Sequence, residues 1–365
     1  MLMSAAIMPE QIIFTLAAEP AAAAKGFLNI SPPVLFFILG VVAALVRSNL
    51  RMPKALTKSL SLYLMWAIGF KGGVELTREG LPAGGIMAIA LAVALAIVVP
   101  LYCFPILRRL VDRSNAAALT GVYGSVSVVT FLTASAVLQE RGVAFGGHMV
   151  AAMTLMEFPA IVIALILLRA TGRSGTEPAG ESTGGNAAAQ GLPAVPARSA
   201  GGPAGWGSLM HEALLNGPVL LLLGSLTIGA LSGERGYAVF KPLCTDVFPG
   251  VLAFFLLDMG LLAAARMRDI LSIPRSLVLF AIVAPLFNAA LALAAARLLG
   301  VVQGDAFLLA VLAASASYIA APAALRMAIP QAKPSLYISL ALGVTFPFNI
   351  AVGIPLYLAA TTWLW

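Results

Sequence analysis

Two short runs decide how the chain is read: TGVYGSVSVVTFLTAS (120–135) and ASASYIAAPAA (314–324). Each lies within an apolar stretch long enough to cross a bilayer, and each makes a poor continuous helix. In the first, Gly121 and Gly124 bracket Tyr123, and Ser125, Ser127, Thr130, Thr133 and Ser135 follow. In the second, Ser315, Ser317 and Tyr318 precede Pro322, which has no N–H for the helix ladder. Freed backbone groups are tolerated inside a membrane only where protein covers them or they line a cavity. Two interrupted spans therefore predict a site. Half-helix N-termini direct partial positive charge at an anion there, while hydroxyls and carbonyls hold a cation. Small residues that merely let helices pack closely explain either run alone better than they explain both.

The rest of the chain supplies the membrane. Hydrophobic residues make up 61% of its 365 residues and charged residues 10%, against roughly 25% charged in a soluble domain. The net charge of +7 comes from short basic clusters between apolar runs, the pattern that orients spans rather than one that binds nucleic acid. Cys103 and Cys244 have no metal or redox spacing, and His148 and His211 stand alone in the sequence, so no metal site beyond sodium is expected.

A spanning helix needs roughly 20 mostly apolar residues. Ten stretches qualify, near 27–46, 59–76, 83–107, 115–138, 147–168, 213–232, 247–265, 276–299, 305–326 and 335–363. Three of them hold a charge near the middle: Lys71, Glu157 and Asp258. Lys and Arg counts in the connections, 15 on one side against 6 on the other, predict both termini outside. The first 25 residues lack a basic start and predict no signal peptide. Residues 171–207, rich in Gly, Ala, Pro, Ser and Thr, read as a flexible cytoplasmic linker. The expected organisation is an N-terminal segment (1–26), five spans (27–170), the linker (171–207) and five more spans (208–365).

The two halves answer each other. LNISPPVLFFILG (28–40) matches LLNGPVLLLLG (214–224), and AIGFKGGVEL (67–76) matches FFLLDMGLLA (254–263), setting Lys71 opposite Asp258. YGSVS (123–127) matches ASASY (314–318), and TLMEFPAIV (154–162) matches TFPFNIAVG (345–353). Five spans per half insert the second half upside down, so the expectation is an all-α integral membrane protein of ten helices in two inverted repeats, with the fourth and ninth spans broken. That is a recurrent plan of secondary transporters.

The hydroxyls constrain the solute. No Arg or Lys lies inside either broken run, so a small monovalent anion held by backbone N–H groups and serines fits best. Ser125, Ser127, Thr130, Ser315 and Ser317 offer oxygen to sodium. Intramembrane charges are candidates by default: Lys71 and Asp258 could brace each other, or Asp258 could serve coupling. Glu157 and its approximate counterpart Asn349 suit cation coordination or a supporting hydrogen bond, whereas Asn288 could equally be a packing amide. A cation–proton antiporter would place paired acids at the crossing, where serines stand. Other small-anion/sodium symporters share the same plan. An enzyme using Ser125 as nucleophile lacks a nearby histidine or acid pair, so none is expected, nor any cofactor besides the coupling sodium.

LYLMWAIGFKGGVEL, YGSVSVVTFLTAS, MVAAMTLMEFPAIV, FFLLDMG, ASASYIAAPAA and PSLYISLALGVTFPFNIAVGIPLY together resemble the sodium-dependent bicarbonate transporters of cyanobacteria, the SbtA family. The resemblance covers nearly all of both halves but neither the linker nor the N-terminal segment. It implies symport of bicarbonate with sodium across the cytoplasmic membrane in a carbon-concentrating mechanism. It also implies a homotrimer whose core moves against a gate, inhibited by a small PII-like cytoplasmic partner (SbtB). Carried onto this chain, Gly124, Ser125, Val126, Ser127, Ser315, Ala316, Ser317 and Tyr318 would surround bicarbonate. Ser127, Thr130 and Asp258 would be sodium candidates.

Overall fold

The computed structural model describes residues 31–79, 83–171 and 217–365. The expected N-terminal segment, and all of the expected linker except Thr171, lie outside these residues. Every regular element among the described residues is helical. In chain order they are α1 (Pro32–Leu45), α2 (Lys54–Glu79), α3 (Ala83–Leu107), α4 (Arg113–Gly124), α5 (Val128–Glu140) and α6 (His148–Ala170). Then follow α7 (Gly217–Lys241), a π turn at Pro242–Asp246, α8 (Phe248–Ile270), α9 (Arg275–Leu298), α10 (Gln303–Ala314) and α11 (Ala320–Ala328). The last, α12 (Pro334–Leu364), is widened by two π turns at Ala341–Thr345 and Asn349–Gly353.

Among the described residues, six stretches are long and apolar enough to cross a membrane: α3, α4 with α5, α6, α8, α9 and α12. The other four expected spans fall short for local reasons. The described part of α1 has 14 residues. Helix α2 carries Lys54, Lys58, Lys71, Glu75, Arg78 and Glu79. Helix α7 ends in a charged stretch after Gly233, whose positive φ of 54° breaks the helix where only glycine is unstrained. Between α10 and α11 the chain is non-helical from Ser315 to Ile319.

Exposed apolar stripes place the molecule in lipid. On α9, Leu279, Val283 and Phe287 are each about half exposed or more and recur every four residues along one face. A water-facing helix does not carry such a stripe, whereas acyl chains accept it without cost. The interrupted α4–α5 stretch is the opposite case: 94% of its apolar window is buried, against 44% for α3. It is therefore the innermost element, shielded by α3 and α6.

The helices sort into two groups. Helix α1 packs along α8 and α2 along α7, while α3, α4–α5, α6, α9, α10–α11 and α12 surround the two interruptions. Glycine decides how close the paired helices come. A Cβ on Gly40 would strike the Leu257 carbonyl, and one on Gly260 the Phe37 carbonyl. At the other pair, a Cβ on Gly73 would strike the Leu226 carbonyl, and one on Gly229 the Phe70 carbonyl. Without hydrophobic drive between helices in lipid, such backbone-to-backbone approach supplies the packing that holds them together. The stretch YLMWAIGFKGGV, read for its lysine, is thus also a helix-crossing face.

Gly260→Ala should push α1 and α8 apart and destabilise the protein by about 1–3 kcal/mol, the usual penalty of overpacking. Gly250→Ala, on the same helix but with open space around it, should be neutral or better. Thermal melting of the detergent-solubilised protein checks the pair, and equal melting temperatures would reject the crossing's importance.

Candidate functional site: two interrupted helices that complete each other

Helix α4 stops at Gly124 because the next residues turn extended: Ser125 has φ −88°, ψ 175° and Ser127 φ −108°, ψ 111°. Gly124 itself allows close approach, since a Cβ there would run into the Pro100 ring and come within 2.9 Å of Ala160 Cβ. Ser127 then starts α5 as its N-cap, its Oγ accepting from Thr130 N–H (3.2 Å) and from Thr130 Oγ1 (2.9 Å). Helix α10 stops in the same way, with Ser315 extended at φ −81°, ψ 165°. Ser317 Oγ accepts from Ala321 N–H in the first turn of α11 at 3.1 Å. Pro322 falls at the third residue of α11, where an N–H has no partner within the helix.

The two breaks exchange hydrogen bonds. Ser127 N–H donates to Ser315 Oγ at 2.9 Å, and Ser317 N–H donates to Val122 O at 2.9 Å. Ser315 Oγ in turn donates to Leu312 O at 2.7 Å. Each interruption thus satisfies backbone groups freed by itself or by the other, which the membrane interior requires. The carbonyls ending α10 are met by side-chain amides: Asn288 Nδ2 donates to Ala313 O at 2.9 Å and Asn349 Nδ2 to Ala314 O at 2.8 Å. A tyrosine hydroxyl donates to each amide oxygen, Tyr102 to Asn288 Oδ1 and Tyr357 to Asn349 Oδ1, the latter at 2.9 Å. Asn349 reaches α10 from a π turn of α12. The other π turn presents Thr345, which donates to Ala281 O (2.7 Å) and so leaves Tyr123 OH as donor to it (2.8 Å).

A cavity of about 40 Å³ opens beside the crossing, more than the roughly 10–15 Å³ a single water needs. Val126, Ser127, Ser317 and Tyr318 line it, with Val128 and Val129 from the first turn of α5 and Ala320 from that of α11. Glu157 on α6 closes one side, and Met65 of α2 with Leu222 of α7 close another. Gly124, Ser125, Ser315 and Ala316 are buried behind this wall and form its frame. Ser125 Oγ donates to the backbone carbonyl of Glu157 at 3.3 Å, fixing the level at which the carboxylate enters. Tyr318 OH reaches Met259 Sδ on α8 at 3.8 Å.

Not every expected residue comes to the cavity. Asp258 Oδ2 accepts from Thr57 Oγ1 at 2.7 Å, between α8 and the first turns of α2. Lys71 Nζ lies 3.9 Å from Glu75 Oε1, one turn along its own helix, rather than against Asp258. Thr130 is spent on Ser127, and Asn349 has both its amide atoms engaged. Sequence reasoning also missed a buried pair: His148 Nε2 and Asp305 Oδ2 are 2.8 Å apart, and Gly146 N–H donates to Asp305 Oδ1 at 2.8 Å. It ties the start of α6, which carries Glu157, to the start of α10. The one clue was an acid in the first turn of a helix.

The arrangement favours ions of both signs at one place. The first turns of α5 and α11 bring partial positive charge, while the Glu157 carboxyl group and serine oxygens suit a hard cation. Among the described residues, no group of three or more His, Cys, Asp or Glu could hold a metal ion.

A many-helix membrane protein whose largely apolar cavity holds two serines and one acidic side chain between two helix starts is suited to a small charged solute. Residues 32–362 match the profile of the Na+-dependent bicarbonate transporter superfamily, and the chain belongs to that superfamily. Sodium and bicarbonate are therefore its solutes by family membership. No curated protein matches the chain.

Because Asn349 holds a helix end, its hydroxyl partner matters to stability rather than to sodium. Tyr357→Phe should lower stability by about 0.5–1.5 kcal/mol, one net hydrogen bond, and leave the sodium dependence of uptake unchanged. Melting and sodium titration of the variant check both halves of this expectation, and a shifted sodium requirement would assign the Asn349–Tyr357 pair to the ion site.

Proposed function

We propose that the protein imports bicarbonate with sodium across the cytoplasmic membrane, as a symporter serving inorganic carbon concentration. The observation that carries this reading is the cavity bordered at once by two half-helix N-termini and one carboxylate. Bicarbonate sits against the first-turn N–H groups of α5 and α11, with Ser127, Ser317 and Tyr318 around it and Gly124, Ser125, Val126, Ser315 and Ala316 holding the frame. Sodium sits on the Glu157 side with the Ser127 oxygen. Asp258 acts in packing α8 on α2, and Lys71 is a structural charge.

The mechanism proposed is alternating access on a plan of ten spans in two inverted repeats, with both termini outside. Cavity walls contributed by Met65 and Leu222 support a division in which α1, α2, α7 and α8 form a gate. The remaining helices form a core that slides along it, the crossing moving as one body because its halves are hydrogen-bonded together. A homotrimer and a PII-like cytoplasmic regulator follow from the resemblance of the sequence. The cation–proton antiporter reading is disfavoured because Glu157 is the single acid lining the cavity among the described residues.

Labelled bicarbonate uptake into proteoliposomes, with and without an inward sodium gradient, tests the function; uptake that ignores sodium, or none at all, rejects it. Within that assay, Glu157→Gln should raise the sodium needed for half-maximal uptake roughly 30- to 150-fold, from the loss of about 2–3 kcal/mol of charge-assisted coordination. Asp258→Asn should leave it near normal. The reverse pattern in well-folded variants would move the cation to Asp258. Ser317→Leu should fill the cavity and abolish uptake without loss of assembly.

A further inference from the structure

A second space opens on the outside of the helix bundle, away from the crossing. A groove of about 560 Å³ lies between the C-terminal half of α9 and the C-terminal end of α12. Its lining includes small, accessible side chains, Ala290 and Ala294 on α9 and Ala360 on α12, above the buried Ala289, Leu293 and Tyr357. The accessible alanines leave volume where larger residues would have closed the gap. The groove is open on the face of α9 that carries the exposed stripe of Leu279, Val283 and Phe287. It is therefore reached from lipid.

The rim differs from this lining. Arg297, at the C-terminal end of α9, stands at the mouth of the groove. Its guanidinium lies 5.7 Å from the centre of the Trp365 ring, and Trp365 Nε1 donates to Val301 O at 2.8 Å. The indole thus fixes the height of the arginine. Trp363, 85% exposed, and Leu298, 88% exposed, flank the same mouth. Tryptophans at helix ends beside a cation mark the level of lipid headgroups. Among the described residues no acidic side chain pairs with Arg297.

We propose that the groove is a phospholipid site, with one acyl chain lying along Ala290, Ala294 and Ala360 and the lipid phosphate paired with Arg297. Two physical points select this occupant. An acyl chain moving from bilayer to groove leaves one apolar medium for another, so chain contacts alone discriminate nothing and the headgroup must choose. A guanidinium pairs with phosphate through parallel hydrogen bonds, and a lipid delivers that phosphate at the depth where Arg297 is held. A second copy of this chain seated in the groove would bury Arg297 and would have to bring an acid to it, which the phosphate makes unnecessary. An anionic phospholipid is preferred, because a zwitterionic headgroup carries its own cation to compete for the phosphate.

The test is native mass spectrometry of the full-length protein in detergent with added phosphatidylglycerol, phosphatidylcholine or inorganic phosphate. One phosphatidylglycerol per subunit should be retained in preference to phosphatidylcholine, and inorganic phosphate should not bind. Arg297→Gln should weaken retention about fivefold, the usual contribution of one basic residue at a membrane surface, and Arg297→Lys should restore part of it. Ala290→Trp should fill the groove and abolish retention with the arginine intact. Melting curves confirm that each variant is folded. Equal retention in all variants overturns the site, as does binding of inorganic phosphate alone, which would make it an ion site. Disulfide cross-linking between copies through Ala290→Cys would make the groove a subunit interface and also overturns it. The outcome does not depend on transport, so a failure here leaves the transport reading standing, and the converse.

Discussion

Breaking a helix inside a membrane frees backbone groups that no water can reach, and the rest of the structure follows from how these groups are answered. Each unsatisfied group costs several kcal/mol in hydrocarbon, and two interrupted spans free many at once. Here one break supplies the other: Ser127 N–H meets Ser315 Oγ, and Ser317 N–H meets the Val122 carbonyl. Neither half-helix pair is satisfied alone, so the two must stay in register. That mutual dependence places the serines at one point and makes the crossing rigid. It also explains why α4–α5 is the most buried of the candidate spans among the described residues: exposing either break to lipid would leave it without partners.

The surrounding helices extend the same logic. Asn288 and Asn349 sit on separate helices, α9 and α12, yet each caps a successive carbonyl of α10 and each is held by a tyrosine. A buried amide serves well only when all its atoms are engaged, because a half-satisfied polar network is worse than an apolar one. The His148–Asp305 pair at the far end of α10 is a brace of a different kind. Desolvating a buried pair offsets much of its attraction, so its consequence is positional: the starts of α6 and α10 cannot separate without leaving an uncompensated group. Helix α6 carries Glu157, so its carboxylate is held in a fixed relation to the crossing.

What was legible in the sequence was what local chemistry dictates. Glycine, serine and proline in the middle of apolar runs announced the helix breaks at 125–127 and near 315–319, and apolar length announced helices under every stretch that the structure describes. The choice of partner was not legible. Asp258 meets Thr57 across 201 positions of sequence, and nothing in either residue's neighbourhood specifies the other. The equivalent placement of Lys71 and Asp258 in the two halves suggested a pair, but similar positions in repeated strings are not neighbouring positions in space. Asn349 showed the limit most clearly. An amide beside a proline reads as a cation ligand or a supporting hydrogen-bond donor, and only the π turns of α12, which have no local signature, reveal its partners, the end of α10 and Tyr357.

The ends of the half-helices bear on the coupling proposed for two solutes of opposite sign. At the C-terminal ends of the half-helices, the Val122, Ala313 and Ala314 carbonyls are all occupied by donors, so the negative ends of these dipoles are muted. At the N-terminal ends of α5 and α11, Ser127 and Ser317 cap one N–H each, and the first turns still line the cavity, so the helices contribute positive potential there. Glu157 contributes the opposite sign from α6. A lone anion entering this space meets a carboxylate, and a lone cation meets two positive helix ends, so each arrives against a repulsion in a medium where charge is poorly screened. On the proposed reading the two cancel, the cation neutralising Glu157 as the anion takes the helix N-termini. Coupling on that reading needs no separate latch. The doubly loaded cavity is the state closest to electrical balance, and it is the one whose passage along the apolar walls of Met65 and Leu222 is least opposed.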